Sequence, residues 1–497
     1  TQSARAPKSY ANGLGEGLKL EIPETGVSFS ELDRFLRQKL GRDQHIGGEM
    51  VQSSKGVDLT ARVGSDGSAT VTGSEAGMDE LLQKLAEQVY LITQPYRYGV
   101  WLQNHGRFDE AIAVFKPLAS SGPAGERAWA YNGWAINTIQ RVSDRAALAL
   151  LHSGFALDPN NFLLPNNIAG LERRLGQEEA SIRDFETAQA LLKSHGSDYT
   201  TQDRILNGQH AYPAVLFSHR GSLLEAAEQY RLSLLSSGTA FAVLSFRAEA
   251  LAGLHEPRAA RAALAERPKL VAAGSQIQNT VPGPAIALEE QDWPGVLAAE
   301  KDFTAVAAVF PGLAEDQQTM VDPTIAVALA HLGRFAQADA RLKPMPADCY
   351  PCLRARAQVA ALQGQPERSD WWFARAADAA PTAPYAEAEW GRALLERKQP
   401  DTAISHFTAA NRIGPHFADP LEGWGEALMA KNQSHLALAK FAEAEKYAPN
   451  WGRLHLKWGE ALIYAGKRNE AKAQFARAAT LDLTPAEKAE LARAPHG

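Results

Sequence analysis

The sequence predicts a mainly α-helical solenoid, a superhelix of stacked helix hairpins, preceded by a small α+β domain. Three observations carry that expectation. The words Trp390-Gly391-Arg392-Ala393-Leu394, Trp424-Gly425-Glu426-Ala427-Leu428 and Trp458-Gly459-Glu460-Ala461-Leu462 recur 34 residues apart. Self-similarity at a fixed period of that size marks a repeat array. From about residue 92 onward, β-type alternation disappears, Ala is abundant, and Gly and Pro punctuate helical runs. Ahead of that point, short alternating segments share the chain with two helical ones.

In order along the chain, residues 1–17 are rich in Ser, Gly and Ala and read as a tail or linker. Leu18 to Ile22 alternates like a short strand and is stopped by Pro23. Ser28 or Ser30 caps a helix that runs through Leu32, Phe35, Leu36 and Leu40. Gly47–Val51, Val57–Val63 and Ala69–Gly73 read as strands, with turns at 53–56 and 64–68 and a second helix from near Met78. Residues 18–91 thus form a β-α-β-β(-β)-α domain with helices on one face of a sheet. By fold analogy such a domain docks partners or builds rings; the simpler alternative is a cap or spacer ahead of the solenoid.

Inside the helical part the register extends beyond the Trp-Gly words. Ala403, Ala437 and Ala471 recur, as do Phe407, Phe441 and Phe475, then Ala410, Ala444 and Ala478. Pro415 and Pro449 close the second helix of each unit, with Leu483 in the third place. One step earlier, Phe373, Ala376 and Pro381 fit while Arg356-Ala357 replaces Trp-Gly. Near residue 100, Gly99, Leu102, Gly106, Phe108, Ala111 and Phe115 match, followed by units around Gly133/Pro159 and Gly176/Phe185/Ala188. Between about 195 and 345 the register blurs, though Gly221/Ala226/Tyr230 and Gly333/Phe335/Ala338 keep its outline, and Lys269–Asp292 interrupts it.

This pattern resembles the tetratricopeptide repeat (TPR) family. The resemblance implies two antiparallel helices, A and B, per repeat, and divides the chain into repeats over 92–194, irregular pairs over 195–349, four regular repeats over 350–485 and a capping segment over 486–497. Glycine lets helices A and B approach, alanines do the same between repeats, and Trp and Phe fill the remaining space. Thr484-Pro485-Ala486-Glu487 carries the signature of a helix start for the cap.

Composition narrows the function. The 497 residues are 45% hydrophobic with a net charge of −6, and such mild acidity argues against a nucleic-acid binder. No apolar run is long enough for a membrane helix, about 18 residues or more. The chain starts Thr1-Gln2-Ser3, and we expect a preceding signal or anchor to have been removed or left out. The two cysteines, Cys349 and Cys352, are spaced for a redox dithiol, a small disulfide or half a metal site. No second pair or nearby His completes a zinc site, so metal binding is not expected. A structural pair, either a small disulfide at the head of a repeat or two packed thiols, is favoured over a redox-active or metal-linked one. His406, His416, His435 and His455 have no ligand spacing, and Gly466-Lys467 lacks the phosphate-loop pattern. No carboxylate pair or G-x-S-x-G segment points to catalysis, and no cofactor is expected.

In the TPR family, helix A lines the concave surface. The equivalent positions here are Tyr385, Ala388, Arg392 and Leu395, then Asp419, Glu422, Glu426 and Met429, then Arg453, Leu456, Glu460 and Ile463. The resemblance therefore implies a partner-binding groove with an acidic centre and Arg at either side. Such a groove would repel a chaperone-tail carboxylate and suit a protein segment bearing basic residues; the alternative is a solvated inner face whose partner sits elsewhere. Ile22–Ser28 and Thr93–Tyr98 look like bacterial TPR proteins in which a membrane helix precedes this region. That likeness implies a periplasmic or other extracytoplasmic scaffold, with a cytoplasmic one as the alternative. Two other readings stay open: an accessory module of a larger enzyme or envelope assembly, and a thiol-active protein using Cys349 and Cys352.

Overall fold

A computed structural model describes residues 46–53, 56–237, 241–266 and 282–494, which fall into two compact units, one ending at Asn137 and one starting at Thr138. The tail, the strand Leu18–Ile22 and the helix through Leu32 and Leu40 lie outside the described residues, as does 267–281.

The first unit opens with a three-stranded antiparallel sheet in the order β1 (Ile46–Ser53), β2 (Gly56–Val63) and β3 (Gly67–Gly73). Val57, Leu59, Ala61 and Val63 alternate onto one buried face of β2. Helix Met78–Thr93 covers that face, where Leu81 meets Val57 and Leu59 beside Val71, Met78 and Leu85. A shift of one residue in pairing would turn this apolar row to water, so the pattern fixes the register. Glu87 on the same helix accepts from Arg107 at 2.7 Å and from the Tyr98 hydroxyl at 2.9 Å, which ties the sheet to the first helix hairpin. That hairpin, Pro95–Asn104 and Phe108–Ser121, packs Phe115 between Gly99 and Gly133. A Cβ on either glycine would lie 2.7 or 2.6 Å from the ring, so both backbones approach as closely as atoms allow.

The second unit is a TPR-type α-solenoid. Nine successive hairpins run from Leu163 to Thr480 among the described residues. Each turns from helix A to helix B in the same way. Gly176, Gly221, His255, Gln291, Gly333, Gly364, Lys398, Asn432 and Gly466 all have left-handed backbone. In every case the amide of the following residue donates to a carbonyl five positions back, as Gln177 does to Glu172 and Lys467 to Leu462. This is the Schellman helix stop, which satisfies carbonyls the helix end would otherwise leave open. The turns are 34 residues apart from Gly364 onward and uneven before it, so the blurred region 195–345 is built from the same hairpin with altered helix lengths.

Packing differs between the two parts of this array. In the last repeats Phe407 sits between Gly391 and Gly423, and Phe441 and Phe475 lie against Gly425 and Gly459. Trp390, Trp424 and Trp458 are half-buried and pack in equivalent places over these phenylalanine clusters. Helix Pro485–Arg493 ends the array. Its capping box has the Thr484 hydroxyl accepting from the Glu487 amide and Glu487 accepting from the Thr484 amide. No helix among the described residues is long and apolar enough to cross a membrane.

Candidate functional site at the inner face of the repeat array

The solenoid of the second unit winds tightly enough to touch itself. The A–B turn of an early hairpin presses on the junction ahead of a hairpin five or six positions later. The Tyr350 amide donates to the Gly176 carbonyl at 2.8 Å, and a Cβ on Gly176 would stand 2.7 Å from the Cys349 sulfur. Glycine is therefore required there twice, for its left-handed backbone and for this close approach. Gly221 meets the Phe417 ring in the same way. His255 stacks on Trp451 with ring centres 3.9 Å apart. Arg145 reaches Glu315 and Asp348, Thr382 donates to Glu179 at 2.8 Å, and Arg258 pairs with Asp482.

Cys349 and Cys352 are bonded to each other and completely buried. They open helix Tyr350–Leu362, beside a π-helical turn at Gln317–Val321. The sulfurs lie 4.0 and 3.7 Å from the Thr319 and Gln318 carbonyls. The neighbouring Arg174 joins Asp316 at 2.9 Å and Asp144 at 3.0 Å, far apart in sequence. Burial, with some help from Asp316 and against Arg174, pushes Asp144 up to about 8.

The groove residues read from the sequence fall into three groups. Tyr385 and Asp419 face the preceding superhelical turn: the Tyr385 hydroxyl donates to the Ser218 carbonyl and Asp419 meets His255 at 3.2 Å. Arg392, Glu422, Glu426 and Arg453 form one ion cluster across three successive A helices. Arg392 pairs with Glu422 and reaches Glu426 at 2.6 Å, while Arg453 reaches Glu426 at 2.7 Å and Glu422 at 3.3 Å. Glu422 is fully buried, so it serves the cluster as a counter-ion and offers nothing to a partner's surface. Burial raises its carboxyl to about 7. Burial also opposes charge on Glu426, but Arg392 and Arg453 outweigh it and hold that carboxyl below the usual range. Met429 and Glu460 line a separate recess with Tyr464, and Lys457 holds Glu460 at 3.2 Å.

A cavity of about 850 Å3 opens between these turns. His255, Trp293, Glu396, Asp419, Arg453 and Lys488 are among its walls. His255 donates on both sides, to Glu289 at 2.7 Å and Asp419 at 3.2 Å. Burial works against its charge, yet these two carboxylates raise the imidazole to about 10, so it is a fixed cation at neutral pH.

Two functional features were not read from the sequence. The first is stitching between neighbouring A helices, as in Arg354–Glu389, Arg392–Glu426 and Lys457–Glu490. Opposite charges about one repeat apart were its available signal. The second is the seam itself, whose contacts span 160 residues or more and carry no local pattern.

No family model matches the chain, and no curated protein does. Among solved structures, yeast Tom70 aligns over 82% of this chain and 95% of its own at 14% identity, with a TM-score of 0.37. A chain of the APC/C hetero-tetramer Cut9–Hcn1 aligns over 84% of this chain and 95% of its own at 11% identity, with a TM-score of 0.36. Pseudomonas aeruginosa PilF aligns over 35% and 82% at 16% identity, with a TM-score of 0.31. At these scores the likenesses say nothing of function, and the repeat architecture stands on the hairpins and their turns.

Proposed function

We propose that this chain is a non-catalytic protein-interaction scaffold whose partner is a protein segment bearing basic residues, received in the 850 Å3 cavity. The observation that carries this reading is the wall chemistry. Its cations His255, Arg258, Arg392 and Arg453 are already paired with carboxylates, and of the two exposed charges without an ion-pair partner among the described residues, Glu396 and Lys488, Glu396 adds to a wall in which carboxylates (Glu289, Glu290, Glu396, Asp419, Asp482, Glu487) outnumber the cations. A cationic side chain is what such a wall attracts. The seam supports entry of an extended segment more than lateral docking of a helix, because consecutive turns are in contact.

The test uses a photo-cross-linking residue at Glu396, on the inner side, or at Leu436, exposed on an outer helix. Partner capture in the native host through position 396 and weak capture through 436 is the expected result, with Glu396→Lys reducing partner retention about tenfold. Cross-links confined to position 436 would refute the reading. We further propose that the chain works on the extracytoplasmic side of a bacterial membrane, supported by the buried Cys349–Cys352 bond, since such bonds persist in oxidising compartments. Acid-quenched alkylation of protein from its host should find no free thiol; two alkylated cysteines would move the protein to the cytoplasm.

A further inference from the structure

The inner helices of seven hairpins, from Leu163 to Glu396, converge on a second cavity of about 440 Å3 that shares Leu288 and Glu289 with the larger one. Its walls are largely apolar, with Val215, Tyr230, Phe246, Met320 and Tyr385 among them. Five charged side chains line it. Three are engaged elsewhere: Glu178 accepts from His219 at 2.9 Å, Glu289 accepts from His255 at 2.7 Å, and Arg354 pairs with Glu389 at 3.0 Å. The other two face each other without a hydrogen bond. Arg173, on helix Leu163–Arg174, stands 3.9 Å from Glu249, on helix Phe241–Gly253. The Arg173 guanidinium lies 4.7 Å from the centre of the Phe246 ring. Burial raises the Glu249 carboxyl, with Arg173 opposing.

The guanidinium and the carboxylate form a long ion pair without a hydrogen bond, and their side chains are 29% and 30% exposed, so one small ligand can reach both and replace that loose pair with two direct charge-assisted contacts. A bridging molecule must bring a cation to Glu249 and an anion to Arg173 within a few bonds of each other. Its remainder must suit aromatic and aliphatic walls. We propose that this cavity binds a free α-amino acid with an apolar or aromatic side chain, its ammonium on Glu249 and its carboxylate on Arg173. This goes beyond the scaffold reading, because the ligand is a small molecule and no protein partner is needed for it.

Isothermal titration of the full chain with L-leucine and L-phenylalanine tests the assignment. Both should bind. N-acetyl-L-leucine, which lacks the ammonium, and L-leucinamide, which lacks the carboxylate, should each bind at least about tenfold more weakly, the loss expected for one charge-assisted contact. Glu249→Gln and Arg173→Gln should produce a similar loss with unchanged circular dichroism. Leucyl-leucine, whose charges are farther apart, should also fall by about tenfold or more; binding as tight as leucine would move the site to a peptide terminus and overturn the proposal. So would the absence of heat with any free amino acid at about 10 mM, well above the range of specific sites. The blocked-ligand series uses unaltered protein, so it decides the matter even where a variant fails to fold. Partner cross-linking at Glu396 is read independently, which keeps failure of this site distinct from failure of the scaffold reading.

Discussion

The four regular hairpins between Tyr350 and Thr480 and the uneven ones between Gln202 and Leu342 use the same turn but different glue. In the regular part, phenylalanine seats against glycine between adjoining helices, so each repeat is held by its neighbours. In the uneven part no phenylalanine makes such a pair among the described residues, leucine seats against glycine instead, as Leu223 does against Gly253, and the turns are unevenly spaced. What the uneven hairpins gain is contact with the regular ones, through Gly221 on Phe417 and His255 on Trp451. A repeat without the consensus side chains can thus remain a repeat when another turn of the superhelix supports it.

The strongest way to break this comparison is to empty a regular position. Phe407→Ala should cost about 3–5 kcal/mol, because the ring is buried between two glycine-bearing backbones and leaves a cavity. Urea unfolding measures it; a loss below about 1 kcal/mol would mean that neighbour packing does not hold the regular part. Next, Gly176→Ala and Gly466→Ala form a matched pair. Both glycines are left-handed, but only Gly176 faces a second contact, the Cys349 sulfur, while Gly466 is open. Gly466→Ala should cost about 1–2 kcal/mol for backbone alone, and Gly176→Ala measurably more, with faster hydrogen exchange in Gln202–Ala265. Equal costs would remove the seam from the account.

A third prediction concerns pH. The folded pKa of His255, about 10, lies above its unfolded value of about 6.5. The histidine therefore adds stability that is complete below about 6.5 and declines as pH rises through 10. The difference between wild type and His255→Gln in urea unfolding should be largest near pH 6 and shrink toward pH 10; a difference that grows with pH would contradict the ion pairs described. The smallest effect belongs to the solvent-exposed Lys467–Glu470 pair. Lys467→Ala should change stability by no more than about 0.5 kcal/mol.

The sequence revealed most where the fold demands particular side chains. The Trp-Gly words and the phenylalanines are forced by packing within a repeat and against the next one, so they recur at a fixed spacing, and the cap at Thr484 is forced by hydrogen bonds within four residues. The strands β1–β3 were legible for the same reason, since their alternation is local. The register between 195 and 345 was not, because the turns there are unevenly spaced and no Trp-Gly word marks them. The inner-face residues were located but not their company. Glu422 looks like any groove carboxylate in the sequence, and only the folded array shows Arg392 and Arg453 closing over it.

Contact between superhelical turns also limits how this protein can change length. An open solenoid can duplicate or lose a unit anywhere, since only the two flanking surfaces must match. Here, adding one hairpin between His255 and Cys349 would carry Tyr350, Phe417 and Trp451 out of phase with the turns that meet them. Natural variation in repeat number should therefore be tolerated after Asp482, where the last of these meetings occurs, and resisted within the coil.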